Sequence, residues 1–380
     1  MAVLSRAPTT NYSSSVTTSS SRFSTTSSST PTPTGILPNA WQFDTDKGTK
    51  WNLTYIGDLN FTNPLGSLGL RGDNCRTGKV GNKVIWTCGD MQCGSNVMTC
   101  GFATAPGWYG TSDVMLVNTA NKSSLADFNK PWSGDPQPPN GAIWGMWSSN
   151  VAPINETHGV IYARAYWRNG PYGNTPKVLG NTVSSVTLGP NGPIATRVGP
   201  FLTSADYLYL GVLCILRDGN YIYQYSGGGP SNIRITRVPA TDDVFDASKY
   251  EYLVYNTTNT WAPGLPLLNS TDAGALVIRP STTQFSCGGS WGSVVYNRYL
   301  AKYLMLCGQW MVDVNMYVSD TPWGPWSSRY KIASGGKFQG AYGSMIHPEY
   351  SPLADGSDKS WYFSIGPNKE FFMYRVDFGY

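Results

Sequence analysis

The chain has 380 residues, of which 13% are charged and 13% aromatic, and its 27 basic and 23 acidic side chains leave a net charge of +4. Those charges are scattered, so there is no basic stripe of the kind a phosphate backbone needs, and nucleic acid is excluded as the expected partner. No stretch approaches the roughly 20 apolar residues of a membrane helix, and the plentiful Gly, Ser, Thr, Asn and Pro are the composition of short strands joined by tight turns, so an all-β fold is expected.

In chain order, residues 1–40 come first as a segment apart. The run Thr9 to Thr34, "TTNYSSSVTTSSSRFSTTSSSTPTPT", offers almost nothing apolar to bury and predicts a disordered, O-glycosylated linker or tail. Two arrangements fit it: a small module, such as a carbohydrate-binding one, ahead of the linker, or a glycosylated N-terminal tail. The opening "MAVLSRAPTT" lacks the apolar core of a signal peptide. Secretion is nevertheless expected, because Asn-X-Ser/Thr acceptors stand at Asn11, Asn52, Asn60, Asn121, Asn155, Asn256 and Asn269.

The seven cysteines point the same way. Cys75, Cys88, Cys93 and Cys100 are clustered, Cys287 and Cys307 flank a hairpin-like stretch, and Cys214 stands inside the apolar run "LYLGVLCIL". Three disulfides and one buried thiol are expected, with the connectivity of the cluster open between Cys75–Cys88 and Cys88–Cys93. A zinc site is disfavoured, since the cluster has no C-x-x-C pair.

From residue 41 to 380 a loose repeat appears. "KVIWTCGD" with "DVMLVNTANKSSLADF", then "GVIYARAYW", then "YIYQYSGGGPSNIRITRVPATDDVFD", then "KYLMLCGQWMVDVNMYVSDTPWGPW", and last "SWYFSIGPNKEFFMYRVDF" each contain apolar strands closed by polar or Gly/Pro-rich turns. About five units of roughly 50 residues predict one five-bladed β-propeller over residues 41–380, with a β-sandwich or jelly roll as the alternative. Functional side chains are then expected near the innermost strands and the turns that join them.

The segment Leu70 to Met91, "LRGDNCRTGKVGNKVIWTCGDM", holds two Gly-Asp pairs, one on each side of a strand-like run. Alternation along Lys83 to Asp90 would put Val84, Trp86, Cys88 and Asp90 on one face, and a Cys75–Cys88 bridge would bring Asp73 and Asp90 to one end of the first blade. Two carboxylates at one end of a funnel suit glycoside hydrolysis, one protonated to assist the leaving oxygen and one ionised to activate water or attack. Gly-Asp is also an ordinary turn dipeptide. Burial beside Trp86 would make Asp90 the acid, and Arg71 and Arg76 would keep Asp73 ionised as the base. Sugar rings pack their C–H faces on aromatic planes, so Trp108, Trp144, Trp147, Trp291 and Trp310 are expected substrate-binding residues, with a place in the core as the alternative for each. Arg71 and His347 are expected beside them, with a hydrogen-bonded structural role as the alternative for His347. Asp313, Asp206 and Glu349 are reserve carboxylates. No cofactor and no metal are expected, because no loop shows the regular acidic spacing of a calcium site.

The same segment, with an Asp before a Gly-rich hairpin and "W-x-x-GD" after it, resembles the first-blade signature of the endo-D-arabinanase family of five-bladed propellers (glycoside hydrolase family 183, formerly domain of unknown function 4185). "YVSDTPWGPW", "AYGSMIHPEY" and "WYFSIGPNKEFFMYRVDF" look like that family's fourth and fifth blades, and the likeness spans most of Asn52 to Phe378. It implies an endo-acting, inverting hydrolase of D-arabinofuranose polymers such as those of mycobacterial envelopes, with Asp73 and Asp90 at the catalytic positions. Beside it stand an L-arabinan or other furanose hydrolase, and a propeller lectin. A lectin of repeats would show the same binding residues in several blades, whereas the Gly-Asp pair is confined to the first. The expected protein is a secreted monomer acting on a polysaccharide.

Overall fold

In the computed structural model, the structure describes residues 51–171, 173, 177–227, 233–254, 260–271, 287, 291–309, 313–334, 342–366 and 370–379. The Ser/Thr/Pro-rich segment expected over residues 1–40 lies outside them. The described elements are strands, apart from two short 3-10 turns at Asp242–Phe245 and Ala247–Lys249, and none is a helix long and apolar enough to cross a membrane.

Five sheets of at least four strands are present. Their inner strands are Arg76–Val80, Ala152–Pro153, Cys214–Asp218, Gly292–Asn297 and Met345–Ile346. These five touch one another in that order, and the last touches the first again, so they close a ring. That closed ring makes the fold a β-propeller.

The apolar residues explain why the sheets stand face to face. The strand Asp313–Ser319 of the fourth sheet is buried at every position, as a strand covered on both faces must be. Five of the hydrophobic clusters each sit between neighbouring sheets. Val80 and Ile85 meet Ile161 and Val186 between the first and second sheets, and Val160 and Tyr162 meet Ile222 and Val238 between the second and third. Tyr225 and Ile235 meet Val294 and Met305, Leu304 and Met316 meet Phe363 and Val376, and Met373 and Phe371 meet Trp86 and Trp108 to complete the circle.

The ring is closed by pairing chain-distant strands. Trp51–Asp58 runs antiparallel to Phe372–Phe378, with Trp51 opposite Phe378, so the fifth sheet combines both ends of the described chain.

Two departures from this plan build the site. A small three-stranded sheet, Leu70–Gly72, Met91–Cys93 and Phe102–Ala103, stands beside the first sheet. The second sheet also has unusually long strands, His158–Asn169 and Lys177–Gly189. Its inner edge is interrupted: Ala142–Ser148 and Ala152–Pro153 both pair with His158–Asn169, one after the other.

The disulfides are Cys75–Cys88, Cys93–Cys100 and Cys287–Cys307, with Cys214 free and buried. The cluster therefore chose the connectivity that clamps the two Gly-Asp pairs. Burial pushes the Cys214 thiol up to about 12, so it is a packing residue and not a nucleophile.

Candidate active site

The segment Leu70 to Met91 folds so that its two aspartates are joined through the backbone. The Asp73 N–H donates to the Asp90 carbonyl at 2.9 Å, and the Gly89 N–H donates to the Asp73 carbonyl at 2.7 Å. The strands Leu70–Gly72 and Met91–Cys93 continue this pairing. Glycine is required before Asp73, where a Cβ on Gly72 would stand 2.1 Å from the Asp90 carbonyl oxygen, and the fit is close before Asp90, where one on Gly89 would stand 3.2 Å from the Asp73 carbonyl oxygen. The Cys75–Cys88 bridge, with its Cα atoms 4.0 Å apart, closes the pair from the next residues along. This is why two Gly-Asp dipeptides flank one hairpin.

Both carboxylates border a small cavity together with Asn74, Arg76, Gly89, Trp147, Ser148, Trp291 and Tyr342. Asp73, Asn74, Trp147, Ser148, Trp291 and Tyr342 stand before inner strands, Arg76 opens one, and Gly89 and Asp90 follow Thr87, the antiparallel partner of Arg76, so the cavity lies over the N-terminal ends of the ring. Arg76 ties that end together. Its guanidinium donates to the carbonyls of Ser148 at 3.0 Å and Val212 at 3.1 Å, and stands 4.6 Å from the ring of Trp291. Burial lowers its pKa to about 10, which still leaves it a cation at neutral pH.

The extended second sheet adds a wall that sequence reasoning missed. Arg168 Nη1 donates to Asp90 Oδ2 at 2.5 Å in an ion pair whose side chains are 10% and 22% exposed. Its other terminal nitrogen donates to the Pro171 carbonyl. Tyr166, fully buried on the same strand, packs its ring 4.3 Å from Trp147. It can do so because residue 145 is glycine, where a Cβ would fall 2.1 Å from the Tyr166 ring. Burial, then the nearby Asp90 charge, pushes the Tyr166 phenol well up. Burial and the charges of Asp73 and Asp90 do the same for Tyr342, so both phenols stay protonated donors beside the carboxylates. Asp127 stands in the same field: its carboxylate accepts from the Thr104 and Ala105 amides at 2.7 and 2.9 Å, while burial and Asp90 push its pKa up.

Of the expected site residues, Asp73, Asp90, Trp147 and Trp291 are brought together, and the rings of Trp147 and Trp291 stand 6.4 Å apart, nearly perpendicular. The other placements correct the sequence reading. Trp108 is 7% exposed in the core beside Phe61, since its face of the first sheet packs on the fifth. His347 is fully buried between Thr77 and Ser364, and burial lowers its pKa to about 3. Trp144 packs on Trp167 at 6.1 Å and Arg71 donates to the Gly94 carbonyl at 2.6 Å; neither borders the cavity. Trp310 lies outside the described residues. Among the reserve carboxylates, Asp313 pairs with Lys331 at 3.2 Å, Asp206 is exposed, and Glu349 faces the hub.

The surroundings of Asp90 differ from those on which its expected acid role rested. The strand Lys83–Thr87 ends before Asp90, so Asp90 does not share the buried face of Trp86. A guanidinium in direct contact favours the ionised carboxylate. Among the described residues, no three His, Cys, Asp or Glu side chains converge as a metal site.

A family model described as a domain of unknown function (DUF4185) matches residues 204–376, a span that begins after both aspartates. No curated protein matches. Among solved structures, a Bacteroides ovatus protein provisionally described as a hydrolase is similar at 16% identity and a TM-score of 0.55, over 85% of this chain and 87% of that one. The likeness is one of fold. An exo-β-1,3-galactanase from Phanerochaete chrysosporium aligns at 14% identity and a TM-score of 0.45, over 85% of this chain and 64% of its own. A GH43_1 enzyme from Xanthomonas citri, solved with xylose, aligns at 11% identity and 0.45, over 80% and 87%.

Proposed function

We propose that the protein is a glycoside hydrolase that cleaves arabinofuranosyl linkages, endo-acting on D-arabinan of the mycobacterial arabinogalactan or lipoarabinomannan type, by inversion at Asp73 and Asp90. The observation that carries this reading is the backbone-paired aspartates on the rim of the ring, facing Trp147 and Trp291 across one cavity. Arg168 holds Asp90 as the anion, the form a general base needs to take a proton from water. The proton for the leaving oxygen then comes from Asp73. Inversion calls for a water between substrate and base, with carboxyl groups roughly 6.5–9.5 Å apart. Trp147 and Trp291 offer ring planes for the C–H faces of the sugar.

Secretion as a glycoprotein and action as a monomer belong to the same proposal. Three disulfides suit an oxidising compartment, and the acceptors Asn52, Asn60, Asn121, Asn155 and Asn269 are all exposed. Asn11 and Asn256 lie outside the described residues.

The test is incubation with mycobacterial arabinogalactan and, in parallel, plant L-arabinan, following released oligosaccharides by chromatography. Fragments from the first alone support the D-arabinanase reading. Fragments from the second alone move the substrate to L-arabinan, and binding to either glycan without release replaces the enzyme with a lectin.

A further inference from the structure

We propose that the hub of the ring is a second ligand site, entered from the end opposite Asp73 and Asp90, which takes a neutral hydroxylated molecule about the size of one sugar ring. The hub encloses a cavity of about 340 Å³, within the range of small-molecule sites. Its walls come from all the inner strands and their flanks, with aliphatic side chains such as Ala152, Ile215, Val294 and Ile346. Lys79, Arg217 and Tyr296 also border it, toward the C-terminal ends of their strands, whereas the catalytic cavity caps the N-terminal ends. Arg76 borders both.

The polar groups of the hub define the ligand. Asn150 is spent on Ile215, donating to its carbonyl and accepting from its N–H, and the Ser293 hydroxyl accepts from the Ile346 N–H. Two buried polar atoms of the lining have no hydrogen-bond partner among the described residues, Glu349 Oε2 and Arg76 Nε. One needs a donor and the other an acceptor. A hydroxyl serves as either, and a molecule with several serves as both. A cation would meet Arg76 and Lys79, an anion would meet Glu349, and a purely apolar molecule would leave both groups unmet. Burial raises the Glu349 pKa against the pull of Thr77 and Lys79, and a hydroxyl can meet the carboxyl whether it is ionised or protonated. The aliphatic walls suit C–H faces. The choice of a sugar among polyols rests on the saccharide reading of the catalytic cavity; the demand for hydroxyls does not.

The experiment uses the full chain with Asp73→Asn and Asp90→Asn together, so that no turnover is read, and follows D-arabinose by saturation-transfer NMR. Saturable binding is expected. It should weaken at least tenfold when Val295→Trp narrows the mouth of the hub, and several-fold in Glu349→Gln, which keeps the shape of the side chain and serves as the readout if the tryptophan variant fails to fold. Absence of a saturable signal, which leaves the hub to ordered water, overturns the proposal. So does a signal unchanged in folded Val295→Trp or in Glu349→Gln, because that sugar sits elsewhere. Since cleavage is not measured, failure of the hydrolase reading shows only in the chromatographic assay.

Discussion

The first and second sheets contribute to the same cavity by opposite means. The first sheet's side fixes Asp73 and Asp90 through the backbone, with two main-chain hydrogen bonds, an obligatory glycine at 72 and a disulfide within a few residues. The second sheet fixes Trp147, Tyr166 and Arg168 through side chains on strands that overshoot the ring. Under the proposed mechanism, the groups whose separation matters for proton transfer are held by backbone and disulfide, locally, while groups that offer a surface or a charge are held by packing. Substitutions on the first side should therefore abolish function or folding, and those on the second should tune it.

The largest effect is expected at the aspartates themselves. Asp73→Asn or Asp90→Asn should lower turnover by about 10²- to 10⁴-fold, the usual contribution of general acid–base groups, while thermal melts stay close to those of the parent. Replacing Cys75 and Cys88 by Ser opens a loop with a sequence separation of 13; denaturant titration should show a loss of about 3 kcal/mol. Activity should fall with it, because the clamp and the aspartates are neighbours.

On the second sheet the effects are smaller. Gly145→Ala forces a Cβ into the Tyr166 ring, and overpacking of this kind costs about 1–3 kcal/mol; the displaced Trp147 should raise KM more than it lowers kcat in steady-state kinetics. Arg168→Met removes the cation that favours ionised Asp90, so the acidic limb of the kcat/KM profile should move to higher pH, whereas Arg168→Lys should keep part of the effect. An unmoved acidic limb would separate Asp90 from the base role.

The smallest effect concerns the buried histidine behind the first sheet. His347 stays neutral in the fold because burial lowers its pKa to about 3, while in the unfolded chain it protonates near 6.5. The unfolded state thus binds the extra proton between those values, and stability should fall as pH drops from about 6.5, by at most about 1.4 kcal/mol per pH unit. His347→Gln should flatten that slope in urea titrations at pH 7 and pH 5.

The sequence revealed more of the first sheet than of the second, for a physical reason. Gly72-Asp73 and Gly89-Asp90 stand close along the chain beside Cys75 and Cys88, so local chemistry announces their meeting. Arg168 and Asp90 are 78 positions apart, and nothing in the spacing of either says that the second sheet overshoots the ring. Tyr342 is farther still, and only the closure of the ring brings it near Asp73. Alternation correctly indicated strands but could not say which face of Trp108 meets another sheet, nor that the strand carrying Trp86 stops at Thr87. Alternation could not choose between the two readings of His347 for the same reason: a two-residue period distinguishes faces, and in a propeller both faces are buried.

The pairing of Trp51–Asp58 with Phe372–Phe378 has a consequence for the geometry of the chain as a whole. Because Trp51 faces Phe378 across one hydrogen-bonded seam, the two ends of the ring are neighbours, and a few linking residues would join them without moving a strand. The order in which the sheets occur in the gene is then incidental to the cavity. A circularly permuted chain, opened instead at the exposed turn between Arg217 and Tyr221, would carry the same aspartates, rings and guanidinium to the same rim.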